Sequence, residues 1–250
     1  MKRFVLLLAV FALIPACATT SDPPAVDKSK MSDGYTTRGY AYLEVGRYEL
    51  ALTEFHRSLQ ENPDNKWAHY YLGVTYDKLG KLAEAEKHYS EAIDIDSGFS
   101  EAYNALGVVY SKQQKWKDAI KNFQKTLENK LYSTRYIPYL NMGDVYMSQG
   151  DYPKAVESYR ESKRYEKIDF IIIKLGEALF ESGKTKDAIR EFQEAIAMSP
   201  ANPLARYRLA VAYLKDGNKS AAVAEFKKTA DLAPGTEIAL KANDYLKTLR

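Results

Sequence analysis

Few side chains in this sequence could do covalent or metal chemistry, and they are widely spread. One residue of 250 is cysteine, Cys17, and three are histidine, His56, His69 and His88. A single thiol cannot close an internal disulfide or found a cysteine-rich metal site, so it is left with taking up one group as a nucleophile. The imidazoles are scattered at unrelated positions, and His56 and His88 read as partly exposed helix residues; no shared metal site is expected. Glu84, Glu86 and Glu91 could pair for acid–base work, yet with lysines at helical spacing they read as a solvated helix face. The glycines recur at a long fixed spacing instead of forming a phosphate loop. Nothing assembles a nucleophile, a base and an oxyanion donor. A non-enzymatic protein is expected, with no catalytic residues, cofactor, metal or small-molecule substrate.

Cys17 is placed by its surroundings. Lys2 and Arg3 precede an unbroken apolar run over residues 4–14. As a helix this run would span about 16 Å, half a bilayer core, which suits a signal-peptide core and not a membrane span. Two cuts fit: after Ala18, through the small residues Ala16-Cys17-Ala18, or before Cys17. The stretch Leu13-Ile14-Pro15-Ala16-Cys17 resembles a bacterial lipobox, in which the cysteine carries lipid. The expectation adopted is a signal peptide over 1–16 and acylated Cys17 as the mature N-terminus, since two or more acyl chains anchor durably. Residues 17–31 are polar and Pro-containing, a flexible tether. Ala18 in place of Asp after the cysteine implies, by resemblance to Gram-negative lipoprotein sorting, the periplasmic face of the outer membrane. Without Lys2 and Arg3 the formal charge falls from +3 to +1. So weak a field gives no reason to expect nucleic acid.

The elements beyond residue 31 repeat. A Gly is followed three residues later by Tyr and twelve later by Ala at Gly39-Tyr42-Ala51, Gly73-Tyr76-Ala85, Gly107-Tyr110-Ala119 and Gly143-Tyr146-Ala155. Gly176-Leu179-Ala188 and Ala210-Tyr213-Ala222 are weaker copies. An aromatic stands four residues past each Ala: Phe55, Tyr89, Phe123, Tyr159, Phe192 and Phe226. Units starting at 32, 66, 100, 136, 169 and 203 are spaced by 34, 34, 36, 33 and 34 residues. This pattern resembles the tetratricopeptide repeat over residues 32–235. The expected fold is all-α, a right-handed α-solenoid of six helix pairs with a C-terminal capping helix in 236–250.

Physical chemistry supplies the reasons. Gly or Ala lets paired helices approach, with Gly39 and Ala51 as one facing pair, and the aromatics fill the space between. Ten of the twenty tyrosines occupy unit positions 4, 11 or 24, so the tyrosine excess is core. Gly46, Gly80, Gly150, Gly183 and Gly217 suit left-handed helix ends. Pro63, Pro200 and Pro234 stop second helices. The extra length falls in 127–136, between units three and four. After Pro234, Thr236 can cap a helix whose Ile238, Ala242, Tyr245 and Leu249 share one inward face covering the open end.

Unit positions 2, 5, 9 and 12 should line the concave surface. They include Thr36, Tyr40, Leu43, Trp67, Tyr70, Val74, Asp77, Val108, Ser111, Ile137, Leu140, Asp144 and Met147. The later units add Phe170, Ile173, Glu177, Phe180, Leu204, Tyr207, Val211 and Leu214. So apolar a stripe marks a groove for an amphipathic helix or extended apolar peptide. It lacks the Lys and Asn of carboxylate-clamping repeats, because position 9 holds Tyr40, Val74, Val108, Asp144, Glu177 and Val211. Trp67→Glu and Phe180→Glu are expected to abolish capture without unfolding.

The lipobox-like start, the tether, six repeats and the lengthened junction Leu131-Tyr132-Ser133-Thr134 leading to Asn141-Met142-Gly143 resemble the type IV pilus biogenesis and stability lipoproteins, the pilotins. That resemblance implies a lipid-anchored protein that binds secretin subunits, carries them to the outer membrane and promotes multimer assembly. A scaffold of another envelope machine, for exopolysaccharide export or outer-membrane protein insertion, would use the same fold.

Overall fold

A computed structural model describes residues 27–249. The expected signal peptide, Cys17 and most of the expected tether lie outside the described residues. Those residues form thirteen α-helices and no strand, and consecutive helices pair. α1 (Lys28–Glu44) packs on α2 (Tyr48–Glu61), α3 (Lys66–Lys78) on α4 (Leu82–Ile95), and α5 (Ser100–Lys112) on α6 (Trp116–Glu128). α7 (Tyr136–Ser148) packs on α8 (Tyr152–Tyr165), α9 (Asp169–Glu181) on α10 (Thr185–Met198), and α11 (Pro203–Lys215) on α12 (Lys219–Leu232). α13 (Glu237–Thr248) closes the end.

Local chemistry sets the helix ends. Asn65 and Asn202 cap α3 and α11, each accepting two backbone N–H bonds that the first turn leaves free. α1 starts at Lys28, within the stretch read as tether, because the Asp27 carboxylate accepts from the backbone N–H of Ser29 and Lys30. Helices within a pair are joined by a left-handed residue: Gly46, Gly80, Gly150, Gly183 and Gly217 have φ between 72° and 84°. The third pair departs from this. Gln114 takes the same conformation at φ 59° with a Cβ attached. Ser199-Pro200 and Ala233-Pro234 follow the ends of α10 and α12.

Packing explains the repeat. Phe55, Phe123, Phe226 and Tyr159 show no exposed surface, and Tyr89 and Phe192 almost none. Each such ring contributes about 1.5–3 kcal/mol by burial. The nearest neighbour of the repeated glycine is this ring. A Cβ on Gly39 would meet the Phe55 ring, and the same holds for Gly73 with Tyr89, Gly107 with Phe123, Gly143 with Tyr159 and Gly176 with Phe192. Ala51, on the helix paired with α1, is fully buried, and the Phe55 ring is what a side chain on Gly39 would strike first. On α13, Ala242 is buried, Leu249 packs inward, and Tyr245 stacks on Phe226 with centroids 4.7 Å apart. Ala239 and Leu246 join them, while Ile238 is only half-buried.

The first helices of neighbouring units also touch one another: α1 meets α3, α3 meets α5, α5 meets α7, and α9 meets α11. Successive second helices do not pack in this way, so the array bends with the first helices on its inner side.

Candidate partner-binding groove

The inner wall is built from the side chains that these first helices turn away from the rings. Tyr40, Trp67 and Phe170 are its most exposed apolar groups, at 41%, 41% and 48%. Tyr70, Val74, Val108, Ile137, Leu140, Met147, Phe180, Tyr207, Val211 and Leu214 are half-buried, each offering an edge to solvent. Two expected groove residues belong to the core instead. Ile173 is buried among the side chains joining units four to six. Leu43 is buried with Phe55 and Leu72 and shows only an edge in the floor of the first cleft. Thr36 is likewise interior. Its hydroxyl lies 2.8 Å from Ser58 Oγ in a polar knot with Ser32 and Asn65, which satisfies four buried groups at once.

Three clefts follow one another along the wall. The first, about 420 Å³, lies between Tyr40, Tyr48, Tyr70, Val74 and Lys78. The second, about 290 Å³, is lined by Val108, Ser111, Trp116, Asn141 and Asp144. The third, about 160 Å³, lies between Met147, Glu177, Phe180, Arg208 and Val211.

Trp67 is braced, not loose. Its ring meets Phe99 edge-on at 4.7 Å and lies over Tyr71 at 5.9 Å, and Tyr71 meets Tyr40 at 5.0 Å. Burial pushes the Tyr70 hydroxyl up to about 12. Tyr71 and Phe99 were not among the expected groove residues. Both fall outside positions 2, 5, 9 and 12, but they hold Trp67 in place.

Ion pairs also cross the wall. Asp77 pairs with Lys112 at 2.6 Å, Asp144 with Lys174 at 3.0 Å, and Glu177 with Arg208 at 2.7 Å. Each links one first helix to the next. Two follow a rule legible from the repeat: an acid at position 9 meets a base at position 6 of the next unit. Asp144 also accepts from the Tyr159 hydroxyl, which burial and this carboxylate together push far above its ordinary range. Phe180 is covered: Lys215 Nζ lies 4.1 Å from its ring centroid and donates to its backbone carbonyl at 3.1 Å.

The three histidines are not scattered in space. His56 on α2, His69 on α3 and His88 on α4 meet across the boundary between the first two units. His69 Nδ1 lies 3.2 Å from His88 Nδ1, and the His56 and His88 rings are 6.4 Å apart. Consecutive helices pack, so unit positions 25, 4 and 23 become neighbours although they are far apart in the chain.

Comparison with known proteins agrees with this geometry. A tetratricopeptide repeat family model matches residues 36–98 and 173–236, and two further tetratricopeptide repeat models match 100–128 and 139–167. The type IV pilus assembly protein PilF of Pseudomonas aeruginosa is 26% identical over 164 residues, 64% of this chain and 64% of that protein. The human intraflagellar transport protein 88 homolog is 28% identical over 191 residues, 74% of this chain. This chain spans only 20% of that protein's length. The solved structure of Pseudomonas aeruginosa PilF superposes with a TM-score of 0.74 at 18% identity, covering 87% of this chain and 99% of PilF. PilW, described as a widely conserved type IV pilus biogenesis factor, gives 0.76 at 20% identity, covering 85% and 98%. The repeated glycine–ring contact, the thirteen-helix array and these matches lead to one assignment: the chain belongs to the tetratricopeptide repeat family, whose members are protein-interaction scaffolds.

Proposed function

We propose that this protein is a pilotin of the type IV pilus system. It binds a secretin subunit through an apolar or amphipathic segment laid along the inner face, acts stoichiometrically and not as an enzyme, and promotes secretin multimer assembly. Acylated Cys17 holds it at the periplasmic face of the outer membrane, with lipid as the address and groove as the grip. The observation that carries this reading is the likeness to PilF, which runs over 64% of both sequences and 99% of the solved PilF chain. The groove supports it in kind. The second and third clefts set apolar groups such as Val108, Phe180 and Val211 beside the ion-paired Asp144, Glu177 and Arg208, as suits a helix with one apolar face. Deleting the gene and probing for secretin multimers tests the proposal. Loss of multimers is expected, restored by the wild-type gene but not by Cys17→Ser; unchanged multimers after deletion overturn it.

A further inference from the structure

We infer that His69 and His88 form a binding site for one divalent transition-metal ion, with both Nδ1 atoms as ligands. The site lies between α3 and α4 and is independent of the pilotin reading. His69 Nε2 lies 3.0 Å from the Pro63 carbonyl oxygen. A carbonyl only accepts, so Nε2 carries the proton and Nδ1 presents a lone pair. That lone pair faces His88 Nδ1 across 3.2 Å. Without metal, His88 fills the gap by donating its Nδ1 proton. With metal, the proton moves to His88 Nε2 by tautomer exchange, the ion takes its place, and the two neutral imidazoles release no net proton.

The spacing suits this exchange. Two nitrogens held about 2.0–2.1 Å from a tetrahedral ion stand about 3.3–3.4 Å apart. The gap is therefore already close to one edge of a coordination polyhedron. The Pro63 carbonyl acts as the outer partner that ligating histidines usually have, fixing tautomer and ring direction. The His88 ring is held flat against Tyr76, with centroids 5.5 Å apart and planes 8° from parallel. Among the described residues no three His, Cys, Asp or Glu side chains stand in metal-holding geometry. Water completes the shell, with His56 alongside. Paired imidazoles suit Zn²⁺, Cu²⁺ and Ni²⁺ and not Ca²⁺ or Mg²⁺. The bound ion ties α3 to α4 and, through Pro63, to the end of α2.

The test is calorimetric titration of the protein, purified without a histidine tag, with Zn²⁺ and with Cu²⁺. One ion per chain is expected, with a higher melting temperature on loading. His69→Gln and His88→Phe should each weaken binding at least tenfold while keeping the metal-free circular dichroism spectrum. No saturable binding by the wild type, or unchanged affinity in the folded variants, overturns the inference. Zinc-soaked crystals of the unmutated protein give a second readout. An anomalous peak between the two Nδ1 atoms supports the site, and peaks only elsewhere contradict it.

Discussion

The glycine–ring contact predicts that two Gly→Ala substitutions in helices of one protein will have opposite effects. At Gly107 in α5, an added Cβ would stand 2.6 Å from Cε1, 2.8 Å from Cδ1 and 3.0 Å from Cζ of Phe123. Carbon atoms in contact normally lie about 3.5–4.0 Å apart, so the ring must retreat by about 1 Å. It has nowhere to go, being fully buried with Ala119, Met142 and Val145. Overpacking of this kind costs about 1–3 kcal/mol. Alanine regains about 1 kcal/mol of helix propensity over glycine, leaving a net loss of up to about 2 kcal/mol. At Gly34 in α1 nothing lies within 4 Å, so Gly34→Ala keeps the propensity gain alone. Urea unfolding followed by circular dichroism should place Gly107→Ala below wild type and Gly34→Ala above it. For a chain of this size the thermal midpoints should move by about 2–4 °C per kcal/mol. Gly107→Ala as stable as Gly34→Ala would refute the contact as the reason for the repeat.

Further outcomes follow from the same structure. Gln114→Gly should stabilise the protein by up to about 1–2 kcal/mol, since it removes the left-handed strain on a Cβ-bearing residue, whereas Gln113→Gly should not; thermal melts decide. The folded pKa of His88 lies below its unfolded value, so its contribution is full above about pH 6.5 and is lost as pH falls toward about 4. Stability measured across that window should decline, and His88→Phe should flatten the decline. Phe180→Glu should lower the melting midpoint, because the ring packs on the core beneath Lys215. Phe170→Glu, at 48% exposure, should leave the melting midpoint within about 1 °C of wild type.

Much of the fold was legible because a helix pair that must seat a large ring against a bare backbone can use few residue types. The Gly-Tyr-Ala spacing therefore survives across the units, and proline and glycine punctuation follows it. What escaped notice was contact between units. The histidines lie at unlike repeat positions and meet only because α2, α3 and α4 pack in succession. The ion pair from Asp144 to Lys174 needs position 9 of one unit compared with position 6 of the next. Gln114 was hidden because the third pair keeps the left-handed turn without the glycine that marks it elsewhere. Leu43 and Ile173 occupy nominal groove positions, yet their side chains are buried with neighbouring core groups. Which apolar side chains line a groove depends on how each unit packs on the next, and a repeat register alone does not specify it.

The central claim is that the inner face grips a secretin segment. Its most direct test is co-purification of the secretin from the same organism with wild-type protein, with Trp67→Glu on the inner face, and with Lys227→Glu, an exposed position on second helix α12. Secretin should be retained by wild type and by Lys227→Glu and lost from Trp67→Glu, with all three equally helical. Retention by a folded Trp67→Glu variant at the wild-type level would contradict the account.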